Sequence, residues 1–219
     1  MSGAPLVRPE FGPPLTTLLR RRFGLPAGVT LALVAALVVV GGLVMALVRP
    51  GDEGTQLVHE GEPVFNVLYQ PGALHEARPR AGELLRLEGR RGHQAVAVTV
   101  RPLTLPSFGG DVSHALLPAY ATGHIDRLRA SLPGFVLEDE GRARVNDAPG
   151  YEVTFHSGAP GDVTYGSDVL VVPSEDETAG AVVISLRRHV TGRLGKPAYA
   201  LSGSARKAFR SFRYGRDRG

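Results

Sequence analysis

Seven histidines and two runs of carboxylates are the groups in this 219-residue chain that could bind a metal or move a proton. The histidines are His59, His75, His93, His114, His124, His156 and His189. Zinc and related metals need imidazole, thiolate or carboxylate ligands at short recurring spacings, and the chain has no cysteine, no CxxC and no HExxH. His114 and His124 would stand about 80° apart around a helix. His124 falls on an apolar stripe, which predicts an interior or boundary histidine held by a hydrogen bond and not a ligand. The trios Glu138-Asp139-Glu140 and Glu175-Asp176-Glu177 could draw a cation. Strand alternation would split the first trio between two faces, and the second belongs to a hairpin tip, where solvated carboxylates are expected.

Nucleophilic and phosphate-binding signatures are equally sparse. There is no GxSxG elbow, and no GxGxxG or P-loop opens a helix after a strand. The expectation is therefore no catalytic residue, no metal ligand and no cofactor. A noncatalytic binding domain is the first reading, with an envelope-acting hydrolase whose site is invisible in sequence as the alternative. The surfaces that loops would offer a protein partner or small ligand are the lead-in Arg101–Asp111, with Leu103, Leu105 and Phe108, and the tip Glu175, Asp176 and Glu177.

The elements that position these groups begin with an apolar run. Between Ala27 and Val48 the only polar side chain is Thr30. As a helix this run would be about 33 Å long, enough for a hydrocarbon core of about 30 Å. Arg8, Arg20, Arg21 and Arg22 precede it, while Arg49 is followed by Asp52, Glu53, Glu60 and Glu62. The positive-inside rule then puts residues 1–26 in the cytoplasm and the C-terminal domain outside the plasma membrane, as a single-pass protein whose first partner is the lipid bilayer through residues 27–48. The alternative is secretion after signal-peptide cleavage near Val44-Met45-Ala46. From Arg49 onward there are 21 basic and 20 acidic residues, so the exported part is almost neutral and nucleic acid is not an expected partner.

Residues 49–62 are Gly- and acid-rich and read as a linker, and 63–214 are the right length for one domain, with 215–219 as a basic tail. Phe65–Tyr69 alternates and stops at Pro71-Gly72, a first strand. Glu83–Glu88 and His93–Arg101 form a hairpin through Gly89-Arg90-Arg91-Gly92. Leu117, Ala121, His124, Ile125, Leu128 and Leu132 define an amphipathic helix with Pro118 in its first turn. Four strands come next: Phe135–Val145 with a kink at Gly141, then runs around Tyr151–Phe155, Val163–Val171 and Ala181–His189. A helix over Ser202–Phe212 would bury Ala205, Ala208, Phe209 and Phe212. Together these describe an α+β domain with an antiparallel sheet flanked by helices, preceded by one transmembrane helix.

The order resembles the PsbP-like fold, an α/β/α sandwich of extrinsic photosystem proteins and exported bacterial domains. The resemblance is carried by Phe65–Pro71, by the helix end Leu132-Pro133-Gly134-Phe135, by Val145–Phe155 with its Ala148-Pro149-Gly150 turn, and by Ala208-Phe209-Arg210-Ser211-Phe212. It implies binding or docking and no enzyme, and it transfers no site residues.

A reporter active only outside the cytoplasm, fused after Gly219, is expected to be active and to sediment with membranes. Active but soluble reporter would mean cleavage, and an inactive, protease-shielded reporter would invert the orientation.

Overall fold

The computed structural model describes residues 54–192 and 196–216. The expected tail 1–26, the expected membrane helix 27–48, residues 49–53 and residues 217–219 lie outside that range. No helix among the described residues is long and apolar enough to cross a membrane.

Along the chain the elements are β1 (Thr55–His59), β2 (Phe65–Tyr69), β3 (His75–Glu76), β4 (Leu85–Arg91), β5 (Gln94–Pro102), a π-helical turn (Val112–Leu116), α1 (Leu117–Ser131), β6 (Val136–Val145), β7 (Ala148–Ala159), β8 (Asp162–Val171), β9 (Val182–Thr191), α2 (Lys196–Arg210) and β10 (Arg213–Tyr214). Seven strands form one sheet in the order β3-β4-β5-β9-β8-β7-β6, and β1-β2-β10 form a second, small one. All pairings are antiparallel. Short turns join β6 to β7 and β7 to β8, the longer loop 172–181 returns the chain to β9 beside β8, and β9 then docks on β5 to join this meander to the β4–β5 hairpin.

Both faces of the large sheet are covered, because its central strands are apolar on both sides. On one face Val96, Val98, Val100, Val169, Val171, Val182 and Ile184 pack with Leu201, Ala205, Ala208 and Phe209 of α2 and with Phe65 and Val67 of β2. On the other, Val153, Phe155, Leu170, Val172 and Val183 pack with Leu117, Ala121, Ile125 and Leu128 of α1. Helices on either side of an antiparallel sheet make the expected α/β/α sandwich.

Several expectations change in detail. The stretch 49–62 is not all linker: β1 lies in it, its register running from Thr55 opposite Tyr69 to His59 opposite Phe65. Leu57 packs on the core from β1, an isolated apolar anchor that the acidic flanks conceal in sequence. Gly89 is not a turn residue. Strand pairing continues to Arg91 and Gln94, and a Cβ on Gly89 would stand 2.5 Å from the Ala73 carbonyl oxygen and 2.8 Å from Leu201 Cδ1. The glycine therefore serves close packing within a strand. The irregularity of β6 falls between Leu137 and Asp139, while Gly141 pairs normally with Glu152. Phe65–Tyr69 is a strand, but of the small sheet. The last helix starts at Lys196, and Phe212 is buried just beyond its end.

One close approach sets the packing of the α1 side. Phe155 and Gly166 are directly opposite in the β7–β8 ladder, and the phenyl ring occupies the space over the glycine. A Cβ at Gly166 would lie 2.3 Å from Phe155 Cζ. Gly166→Ala is expected to cost about 1–3 kcal/mol through overpacking, read from urea unfolding midpoints. Combined with Phe155→Leu it should cost less than the sum of the two single changes, and strict additivity would show that the ring does not rest on the glycine.

Candidate functional site

His124 is the sequence-selected histidine that the structure engages most deeply. From α1 its Nε2 lies 2.7 Å from Asp168 Oδ2 of β8. Asp168 is fully buried and also accepts a two-pronged contact from Arg187 of β9, Nη1 to Oδ1 at 2.5 Å and Nη2 to Oδ2 at 2.8 Å. The guanidinium in turn lies 4.8 Å from the centre of the Phe155 ring. Burial by itself would raise the Asp168 pKa, but the Arg187 charge and the hydrogen bonds from His124 and Arg187 outweigh it and hold the carboxyl well below the usual carboxylate range. This cluster ties α1 to two strands and leaves no acceptor position open toward solvent, so it is a structural anchor.

A groove opens on the opposite face of the same strands. Its volume is about 440 Å³, and Ser202, Gly203, Ala205 and Arg206 of α2 form one wall. Small side chains along that helix leave the space unfilled. The other wall comes from Val96, Thr154, Tyr165, Ser167, Leu186 and Arg188, with Glu138 at the β6 side. Arg188 stacks on Tyr165, its guanidinium carbon 4.5 Å from the ring centre. Glu138 contacts His156 Nδ1 at 2.9 Å. Next to Ser202, the buried Gln94 donates from Nε2 to the serine hydroxyl at 2.6 Å, while Gln94 Oε1 has no partner among the described residues.

The loop residues singled out from sequence do not gather into one site. Leu103 and Leu105 are half-buried against the α1-side core, leaving Phe108 exposed. At the other loop, Glu175 pairs with Arg144 at 2.8 Å and its carbonyl accepts from Val112 N–H at 2.7 Å, which draws the tip back onto the sheet and the π-helical turn. Asp176 accepts from the Ser174 hydroxyl, and Glu177 bridges back to Ser174. The other histidines are dispersed in local contacts: His114 with Asp111, His189 with Asp162 and Thr164, and His59 stacked on Phe65. Among the described residues no three His, Cys, Asp or Glu side chains converge on a metal position.

Sequence reading missed Tyr165, Arg188 and Arg206 as neighbours, since they come from two strands and a helix. The expectation that no Ser-x-x-Lys is present is corrected by Ser204-Ala205-Arg206-Lys207, which has that spacing, one used by some acyl-transfer nucleophiles. In the fold Ser204 lies within α2 and donates to Gln70 Oε1 at 2.7 Å.

No protein-family model matches the sequence, and no curated protein matches it. Among solved structures the chain is similar in fold to LpqN of Mycobacterium tuberculosis, described as involved in cell envelope biogenesis, at 14% identity over 74% of this chain and 86% of that one, TM-score 0.44. It is similar to the cyanobacterial PsbP of Synechocystis at 9% identity over 76% and 95%, TM-score 0.43. It also matches a protein of Bacteroides thetaiotaomicron at 7% identity over 75% of this chain and 50% of that one, TM-score 0.43. These are likenesses of fold alone, and they include the PsbP-like architecture that the order of elements resembles.

Asp168→Asn is expected to destabilise the domain by about 3 kcal/mol, the low end for a broken buried pair because Arg187 keeps some contact with water. The pH dependence has a definite sign. A carboxyl depressed in the folded state contributes fully above its unfolded value near about 4, and that contribution is lost as pH falls toward the folded value. Wild-type stability should therefore fall with acidification below about pH 4 more steeply than that of Asp168→Asn, as measured by unfolding midpoints across that range.

Proposed function

We propose that this chain is a noncatalytic, membrane-anchored extracytoplasmic domain that binds a small ligand in the groove beneath α2. The observation that carries this reading is the groove itself, an open space of about 440 Å³ between a helix wall of small residues and a rigid, doubly covered sheet. That volume suits a small organic molecule, and its lining mixes apolar walls with a few polar groups, as ligand sites do. The apolar run Ala27–Val48, flanked by Arg20-Arg21-Arg22 and then by acidic residues, supports the anchor and its orientation. A protein partner is the less favoured ligand, because the expected loop surface is largely folded back onto the domain.

Gly203→Leu tests the reading with little risk to folding. Gly203 lines the groove, and a Cβ there meets no atom within 4 Å. Replacing a helical glycine should stabilise α2 by about 0.5–1 kcal/mol. The full chain, extracted from membranes in native lipid without detergent, is expected to carry a small molecule detectable by mass spectrometry, and the leucine variant to lose it. Equal recovery from both would remove the groove as the site, and wild-type protein in the soluble fraction would remove the anchor.

A further inference from the structure

We infer that the ligand of this groove is an anion carried on an apolar body, such as an acyl chain or aromatic ring ending in a carboxylate or phosphate. The inference rests on the reading of the groove as a ligand site and adds the chemistry of what fills it. Its starting point is the contrast between two consecutive arginines. Strand alternation sends Arg187 and Arg188 to opposite faces of β9. Arg187 is neutralised on its face by the buried Asp168. Arg188 lines the groove and has no carboxylate partner among the described residues; what it has is the Tyr165 ring. A guanidinium stacked on an aromatic face is held in one plane with its N–H edge still free, the geometry that grips an oxyanion in a fork.

A second cation stands on the facing wall. Arg206 of α2 is exposed, lines the groove, and likewise has no carboxylate partner among the described residues. Other arginines of this sheet do find acids, Arg86 contacting Glu83 and Glu88 and Arg144 contacting Glu175, whereas Arg188 faces the groove without one among the described residues. Glu138 is the single carboxylate among the lining residues, and His156 already contacts it. Positive charge in the groove is thus left for a ligand to balance. Between the arginines lie Val96, Leu186 and Tyr165, walls that an inorganic ion would not use and a hydrocarbon body would.

The full chain reconstituted in nanodiscs of neutral phosphatidylcholine is titrated calorimetrically with 2-naphthoate, 2-naphthylmethanol and acetate. Naphthoate should bind saturably, at least about tenfold more tightly than the alcohol, with acetate giving no measurable isotherm. Arg188→Met should weaken naphthoate about tenfold and Arg188→Met/Arg206→Met further, with Lys207→Met, a basic neighbour outside the lining, unchanged. Alcohol binding as tight as naphthoate, or full affinity in the double methionine variant, would overturn the assignment. Adding phosphatidylglycerol to the discs identifies the source: competition with naphthoate marks a membrane amphiphile as the ligand, and an unchanged isotherm marks a soluble anion. Should naphthoate not bind while Gly203→Leu still loses its co-purified molecule, the anion assignment falls and the groove stands as a site. Failure of the chain to enter the discs would count against the anchor alone, and the same titrations would then be run on the soluble chain.

Discussion

The carboxylate of Asp168 has almost no contact with water, and that burial dictates the arrangement around it. A buried charge is tolerable only when paired and hydrogen-bonded, so β9 must present Arg187 to it and α1 must present His124. Satisfying it therefore fixes how α1 lies across the sheet and which residues of β9 face α1. By alternation the same choice sends Leu186 and Arg188 to the other face. A structural ion cluster on one side thereby determines which side chains are available to line a groove on the other.

Packing supplies the second half of the site. Phe155 rests over Gly166, and the glycine's lack of a side chain lets β7 and β8 carry a full aromatic ring under α1. Across the sheet, α2 places large residues, Leu201 and Phe209, where the core needs them and small ones, Ser202, Gly203 and Ala205, over Tyr165 and Leu186. One helix thus closes the core over part of its length and holds a cavity open over the rest. The small sheet anchors it: Tyr214 of β10 donates to the carbonyls of Val171 and Gly180, and Ser211 contacts Leu68 of β2.

Much of the fold was legible in the residues. Val96, Val98 and Val100 announce a strand, Leu117 through Leu128 a helix, and the turns at Asn146-Asp147 and Pro160-Gly161 an antiparallel meander, because local periodicity and turn chemistry report directly on which face is buried. His124 was legible as a hydrogen-bonded interior or boundary histidine for the same reason, and the structure places it half-buried against Asp168. Harder to read were β1 and β10, whose short strands depend on partners distant in sequence, and Gly89, where a residue type common in turns answers to a tertiary contact. Around Leu103 and Leu105 the proline-bounded segment gives no local sign of burial, yet its leucines pack half-buried against the α1-side core while Phe108 stays exposed.

By itself the sequence determined the apolar run and its flanking charges, the near neutrality of residues 49–219, and the alternation of strands and helices, since each of these is a property of neighbours along the chain. Tertiary structure alone decided that Asp168 would be shared by a histidine and an arginine from two other elements, that Arg187 would be neutralised and Arg188 would not, and that Tyr165, Arg188 and Arg206 would face one another across a groove. Strand register and the angle at which a helix crosses a sheet set those relations, and both are products of long-range packing that no local pattern encodes.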